Sequence, residues 1–174
     1  MEQHVDVVVI GDGAVGLSIA FAVADSPGQP RVALVARPGP AASRAAGAML
    51  GLLGEVTAGS SRTADSRARL DLATRAAGHW PRWRERVLAR AGVDAAGDGY
   101  GTGTFLLLNA ASSQLDDESF TAVEEFAAKN ALPVERVSPD DIPGHRPFAG
   151  DRAHRALYLP DEGYLDARRW LANL

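Results

Sequence analysis

The chain has 174 residues, of which 22 are acidic and 18 are Lys or Arg, so its net charge is −4; hydrophobic residues make up 46% and cysteine is absent. This length suits one ordinary domain, and the acidic balance excludes a generally basic nucleic-acid-binding protein. The lack of cysteine excludes disulfides and a cysteine-linked cofactor, and the four histidines are too scattered in sequence to predict a metal site.

The first predicted elements are a strand and a helix joined by a sharp turn at residues 7–16. The strand is the apolar run Val7–Ile10. The turn has a G-x-G-x-x-G pattern formed by Gly11, Gly13 and Gly16. In a dinucleotide-binding unit these glycines allow a tight turn, close approach of a pyrophosphate, and close packing of helix on strand. The helix then directs the N–H groups of Ala14 and Val15 at the phosphates. The pattern predicts a nucleotide site, and a structural turn without a ligand is the alternative.

The apolar stretch at residues 5–24 raises the question of a signal or membrane segment. Asp6, Asp12 and three glycines interrupt this stretch, and no basic region precedes it. Signal peptides and spanning helices need an unbroken apolar run. We therefore expect a soluble cytoplasmic protein that contacts no membrane and no nucleic acid.

A second strand is predicted at residues 31–36, after the helix-breaking sequence Pro27-Gly28-Gln29-Pro30. Its apolar run is typical of a buried parallel strand. In dinucleotide-binding units an acidic residue at the end of this strand binds the ribose hydroxyls, but the residues there are Ala36 and Arg37. The missing acid weakens the simplest NAD or FAD interpretation. Three roles for Arg37 stay open, namely a 2′-phosphate contact that would favour NADP, stacking on adenine, or solvation.

The segment at residues 42–51 is small, flexible and almost uncharged. It follows the second strand, where a large planar ring would lie against the backbone, and its small side chains permit this close approach. Ser43 and Arg44 carry donors suited to phosphate oxygens. The small residues that follow them are Ala46, Gly47 and Ala48. A ligand-free Ala/Gly loop is the alternative.

Together with later segments, these residues resemble the FAD-dependent D-amino acid oxidase superfamily, and most closely its glycine oxidase branch. The matching segments are Gly11–Gly16 with the following helix, Ser43–Leu50 with Glu55, His79–Trp83, Gly101–Leu107 and Asp161–Arg168. The resemblance covers the whole chain in collinear order.

The resemblance implies that the protein binds FAD and oxidises a small amine or amino acid by hydride transfer to the flavin, which oxygen then reoxidises. It places five residues near the diphosphate, namely Gly11, Gly13, Gly16, Ser43 and Arg44, and three near the isoalloxazine, namely Gly47, Ala48 and Met49. Met49 is the best candidate for a catalytic contact, and a flexible core filler is its alternative role. The chain departs from the family's pattern at two places. The acid after the second strand is missing, and Ala48 stands where the family usually has glycine.

Family members are much longer, and the resemblance matches only their first half. It therefore implies an α/β fold, with the N-terminal half of a Rossmann-like FAD-binding domain and the start of an α+β substrate domain. We expect FAD-binding residues at 1–78, a partial substrate domain at 79–159 and a truncated return to the FAD-binding domain at 160–174. A second protein chain would supply the C-terminal half, so apolar surface at residues 7–10 and 32–35 is expected to stay partly open.

The later elements are predicted more coarsely. Residues 62–91 are expected to be helical, with a restart or kink at Pro81, and they carry eight arginines. A solvated helix face and an electrostatic contact with an acidic partner chain are the alternatives for these arginines. The remaining predictions are a strand at 104–109, a helix at 116–129, a Pro/Gly-rich loop at 133–152, a short strand at 156–159 and a final helix capped by Asp166.

Two functions follow from these residues. The first is the flavin-binding part of a split or cleaved FAD-dependent oxidoreductase, which oxidises an amine or amino acid only in complex with a second chain. The second is a non-catalytic scaffold subunit of a heteromeric flavoprotein that has lost productive FAD binding. The glycine pattern with Ser43 and Arg44 favours the first function, whereas the missing acid and Ala48 favour the second.

Overall fold

The computed structural model describes residues 4–37, 39 and 42–174. These residues form a mixed α/β fold with one parallel and one antiparallel sheet, which confirms the predicted α/β class. The chain separates into two compact units. The first contains the described residues up to Ala48 together with Arg82–Tyr100 and Leu165–Leu174, and the second contains Met49–Pro81 and Gly101–Tyr164. The domain bounds inferred from the sequence stay a prediction.

The first unit is built on the predicted strand–helix–strand sequence. Its strands are β1 at Val7–Ile10 and β2 at Val32–Val35, and helix α1 at Ala14–Ala24 connects them. The two strands pair in parallel, with Val7 opposite Val32. Parallel neighbours need such a helical crossover because a tight hairpin cannot join them.

Two short helices also belong to the first unit. Helix α2 at Ala42–Ala45 and helix α5 at Ala167–Asn173 contact each other. Asp166 caps α5, as predicted, because its carboxylate accepts the N–H groups of Arg168 and Arg169 at 3.0 and 3.1 Å.

Helix α3 runs from Ala64 to Ala91 without interruption at Pro81, where the sequence predicts a restart or kink. Proline removes one backbone hydrogen bond. The helix continues on both sides of it through many Ala and Arg residues, which are strong helix formers. In the described part of the chain no helix has both the length and the apolar character needed to cross a membrane.

Side chains from the first-unit part of α3 hold the end of α1. The rings of Phe21 and Trp83 meet edge to face, with centroids 5.2 Å apart. Arg86 and Arg90 each form a 2.5 Å ion pair with Asp25. Hydrogen bonds from Arg86 and then Arg90 hold the pKa of Asp25 below its usual value. Arg86 and Arg90 therefore bind an acid of their own chain. The sequence analysis considered only a solvated helix face and a contact with an acidic partner chain.

The second unit is an antiparallel sheet around β6 at Ala153–Tyr164. Strand β4 at Gly101–Asn109 pairs along one edge of β6, and β3 at Met49–Leu50 and β5 at Glu135–Val137 pair along the other. The sequence predicts a shorter β6 and misses β5. Proline and glycine, which β6 contains, are usually excluded from strand interiors, and β5 has only three residues.

Helix α4 at Gln114–Asn130 packs on this sheet. Ser113 and Asp116 form a capping box at its start, in which each side chain accepts the backbone N–H of the other. The Ser113 N–H and hydroxyl also hold the pKa of Asp116 below its usual value. The core of the unit consists of Leu53, Val56, Leu108, Phe120, Val123, Ala127, Leu157 and Leu159.

The parallel sheet of the first unit leaves large apolar side chains in solvent. Val8, Leu34 and Val35 are exposed, and Ile10 is 84% exposed. No residue of α1 is buried either. Parallel sheets normally have both faces covered, and an isolated strand pair is marginally stable. The open apolar surface that the sequence predicts at these two strands is therefore present.

Candidate functional site

The glycine turn between β1 and α1 has the close backbone packing that its sequence predicts. Gly11 has a φ of +111°, which residues with a Cβ rarely adopt. A Cβ at Gly16 would overlap the carbonyl oxygen of Gly11 and lie 2.9 Å from its carbonyl carbon. A Cβ at Gly13 would come within 3.1 Å of the Ser43 hydroxyl. Each of the three glycines therefore meets a separate steric demand.

The first turn of α1 offers backbone donors to a ligand. The N-cap residue, Gly13, has no side chain to cap the helix, and the turn contains no acidic residue. The Ala14 N–H donates to Ser43 Oγ at 3.0 Å. The N–H groups of Val15 and Gly16 lie in the same turn, where helical acceptors are missing and the helix dipole is positive. Backbone donors at the start of a helix are suited to an anionic group such as a diphosphate.

Asp12 places a negative charge inside the glycine turn, and Arg44 neutralises it. Arg44 Nη2 lies 2.6 Å from Asp12 Oδ2. The sequence predicts Arg44 as a phosphate contact, and the structure brings its guanidinium to the turn by this ion pair. A guanidinium has five N–H donors, so the pair leaves donors for an anion and offsets the repulsion that Asp12 would exert on it.

The end of β2 offers no carboxylate to a ribose. Ala36 and Arg37 directly follow the strand, and both are exposed. Arg37 has no hydrogen bond or ion pair with another described residue. Its phosphate, stacking and solvated roles therefore all stay predictions.

The small residues after α2 include one strained position. Ala46 and Gly47 are exposed. Ala48 has a φ of +46°, a left-handed conformation that costs a residue with a Cβ about 1–2 kcal/mol. Its carbonyl accepts the Leu165 N–H at 3.0 Å. Glycine, which the family resemblance leads one to expect here, would adopt this conformation without strain.

In the second unit, Met49 lies in a row of three residues across the sheet. It is the first residue of β3 and is directly opposite Tyr164 of β6, which is opposite Gly101 of β4 on its other edge. Directly opposite residues project from the same face, with Cβ atoms about 4.5–5.5 Å apart. Met49 is 61% exposed and Tyr164 is 54% exposed. This exposure of Met49 does not match the alternative role of a core filler.

Glu162 is a buried carboxylate of the second unit that the sequence analysis did not single out. Its Oε1 accepts the N–H groups of Leu52, at 2.7 Å, and of Leu53, and its Oε2 accepts that of Gly54 at 3.2 Å. Several backbone donors around one carboxylate stabilise its charge in a buried position. Glu162 thereby fixes the turn that follows β3.

The first unit contains a second buried acid, Asp98, whose partners are structural. Burial raises the pKa of Asp98, but bonds from Arg84 Nε at 2.6 Å and the Tyr100 N–H at 3.0 Å lower it more, so the pKa lies below its usual value. Arg84 Nη2 also donates to the Ala95 carbonyl at 3.1 Å. This pair holds the segment before β4. Among the described residues, no three metal-ligating side chains come together.

The family model described as FAD dependent oxidoreductase, DAO, matches residues 6–174 of the chain. The matched family depends on FAD, which agrees with the cofactor predicted from the sequence. No curated protein matches this chain.

Solved structures share the fold over nearly the whole chain. The glycine oxidase from Geobacillus kaustophilus is 25% identical, with a TM-score of 0.70 over 99% of this chain and 43% of that one. The glycine oxidase from Bacillus cereus ATCC 14579 is 21% identical, with a TM-score of 0.70 over 98% and 42%. The L-proline dehydrogenase from P. horikoshii is 18% identical, with a TM-score of 0.67 over 99% and 41%. This chain spans about two fifths of the length of these structures. By the match over residues 6–174, it belongs to the FAD-dependent oxidoreductase (DAO) family.

Proposed function

We propose that this chain provides the FAD-binding part of an oxidoreductase that acts on an amine or an amino acid. The observation that carries the proposal is the start of α1, where backbone donors after Gly13, the Ser43 hydroxyl and the Arg44 guanidinium meet around a cradle without a Cβ. The matched glycine oxidases and L-proline dehydrogenase support a substrate with an oxidisable amine.

When bound, FAD would supply the hydride acceptor that converts the amine into an imine. The residues of this chain would bind and orient it. Gly13 would let the diphosphate approach the backbone, the N-terminus of α1 would stabilise its charge, and Arg44 would offset the charge of Asp12. Met49, exposed at the start of β3, is the proposed contact to the reacting groups. A neutral amine gives up a hydride without a strong base, so this part of the fold need not provide one.

We further propose that a second protein chain completes the active protein. The exposed apolar side chains of β1 and β2 support this, and Ile10 is the most exposed of them. Obligate interfaces typically bury more than about 2,000 Å², and a parallel sheet gains stability when further strands and helices cover it. The completing chain would extend this sheet, add a second flavin contact and provide the cation that holds a substrate carboxylate.

The test of FAD binding is Gly13→Val in the complete protein, that is, this chain with the chain that completes it. The added side chain would press on the Ser43 hydroxyl and crowd the N-terminus of α1, so we expect colourless protein by visible absorbance. Gly150→Val is the matched control, because a Cβ at Gly150 meets no atom within 4 Å. Full yellow absorbance of the Gly13→Val protein would refute the assignment of this turn.

Dependence on a second chain is tested by expressing this chain alone and together with the completing half. The lone chain should aggregate or lack flavin, because apolar strands stay open, whereas the co-expressed protein should be soluble, yellow and active on an amine. A sharp monomer peak of the lone chain, with cooperative melting and bound FAD, would contradict this part of the proposal.

Arg37 allows a test of FAD against NADP. We expect Arg37 to face the adenosine end of FAD, so titration of the complete protein with NADPH and NADH should show no tight, phosphate-selective binding. Micromolar NADPH binding that Arg37→Ala abolishes would overturn the choice of FAD.

The strained Ala48 favours a second candidate function, a scaffold subunit without productive FAD binding. Its Cβ stands at a left-handed position, next to the exposed Gly47, and would crowd a ring lying against this backbone. The visible spectrum of the complete protein separates the two functions, because the scaffold subunit would carry no flavin absorbance while keeping its partner.

A further inference from the structure

We propose that the outer edge of strand β4 is a second docking surface for the completing chain, which adds an extended strand beside residues 104–108. The inference rests on the proposed function, because the partner is the chain proposed to complete the protein. It goes beyond that function by placing a contact on the antiparallel sheet and by giving the chemistry of the segment that binds there.

Strand β4 has one paired edge and one open edge. It pairs with β6 along its length, and no other described strand pairs with it. The pairing is irregular only near the ends of β4, between Thr102 and Thr104 and between Leu108 and Asn109. In an edge strand, every second residue directs its backbone N–H and C=O groups away from the sheet. The regular stretch at residues 104–108 therefore offers a template for one more strand.

The open edge of β4 lacks the features that keep solvent-exposed edges from pairing. Natural edge strands carry charged side chains or proline, or they are very short. Strand β4 is nine residues long and contains neither a charge nor a proline. The outer strand on the other side of the sheet, β5, has only three residues, and two of them are the exposed Glu135 and Arg136. The sheet is therefore protected at β5, whereas β4 has the composition of a strand that another strand covers.

The hydrophobic core of the second unit is also left incomplete at this edge. Leu106 and Leu157 are direct partners in the β4–β6 pair. Leu157 is fully buried, whereas Leu106, which packs against the same core, stays partly exposed. A cavity of about 420 Å³ adjoins residues 106–109 of β4, and its lining includes Phe120 and Val123 of α4. An added strand would cover Leu106 and place an apolar side chain of its α4 face beside this cavity.

The completing chain fits this edge better than a second copy of this chain. A strand paired only along residues 104–108 buries less than about 1,200 Å², the lower bound for a stable specific interface, so two copies joined by β4 alone would be held weakly. The completing chain would already be held at β1 and β2, and the β4 contact adds to that interface. This chain spans about two fifths of the matched structures, so a completing half of similar proportions has the length for a further strand.

Residue-resolved hydrogen–deuterium exchange of the complete protein tests the inference. In an edge strand every second amide exchanges quickly, because only one edge donates hydrogen bonds, whereas a strand with two neighbours protects all its amides. We therefore expect slow exchange of every amide at residues 104–108. Alternating fast and slow amides, in protein whose two chains associate and bind FAD, would overturn this inference and leave the proposed function intact. Failure of the two chains to associate would overturn both.

The same edge is tested by Leu107→Lys in the complete protein. Leu107 is exposed within the regular stretch of β4, and a lysine on an edge strand opposes the addition of another strand. We expect the dissociation constant of the two chains to rise by about tenfold. Leu115→Lys is the matched control, because Leu115 is an exposed leucine on α4 of the same unit, and it should leave the constant unchanged. Equal constants for the two variants would contradict the inference.

Light scattering of the same samples identifies the occupant of the edge. Protection of residues 104–108 in a complex with one copy of each chain supports the completing chain. Protection that occurs only in assemblies with two copies of this chain, and that is lost when they dissociate on dilution, would show that a second copy covers β4 and would overturn the proposal.

Discussion

The carboxylate of Glu162 is the acceptor on which the turn after β3 depends. Replacing Glu162 by Ala removes the acceptor of three backbone N–H groups, those of Leu52, Leu53 and Gly54. A buried donor left without an acceptor costs about 1–3 kcal/mol. The Gly54 bond is long, at 3.2 Å, and water can enter part of the space that the side chain leaves. Two donors therefore dominate, and we expect the free energy of unfolding to fall by about 3 kcal/mol.

Urea unfolding of the complete protein, followed by tryptophan fluorescence, measures this loss. Glu162→Gln keeps a carbonyl oxygen in place of the carboxylate, so it should lose only about 1–2 kcal/mol. Glu55→Ala is the matched control, because Glu55 is exposed in the same turn, and it should change the free energy by less than about 0.5 kcal/mol. A Glu162→Ala protein as stable as the Glu55→Ala protein would refute the reasoning.

Two further predictions concern the other acids. Arg44→Ala should weaken FAD binding about tenfold, because Asp12 would face the diphosphate uncompensated. Adding Asp12→Asn should restore most of the affinity in a flavin titration, and no recovery would mean that Arg44 acts on phosphate directly. The lowered pKa of Asp98 means that its contribution to stability is fully present above 3.8 and is lost as pH falls through the lower folded-state pKa. Below pH 3.8, the free energy of unfolding of Asp98→Asn should therefore fall less steeply with falling pH than that of wild type. An equal slope in the two proteins would contradict this.

The glycine turn could be predicted from the sequence because its constraints are local. Residues 7–16 contain both the strand and the helix start, and the demands on Gly11 and Gly16 arise within that stretch, whereas Gly13 meets the distant Ser43. Asp166 as the cap of α5 is equally local, because a cap bonds two or three residues ahead. The whole-chain resemblance then supplied the family, which periodicity alone would not have shown.

The features that were missed depend on contacts between distant parts of the chain. Glu162 meets Leu52 across 110 positions and Asp12 meets Arg44 across 32, and no local pattern reports either pair. Strand β6 is longer than predicted because three neighbouring strands supply partners along its length, which outweighs Pro160 and Gly163 within it.

Strand β6 also decides when the second unit can fold. Among the described strands, β3, β4 and β5 all pair with β6 and none of them pairs with another. On a ribosome, where the chain emerges from its N-terminus, these three strands must wait unpaired until residues 153–164 follow. Pairing over such separations is slow, and strands that wait unpaired are prone to aggregate. The early strands of this protein are therefore expected to need protection during synthesis, and the sheet is expected to form in one late step.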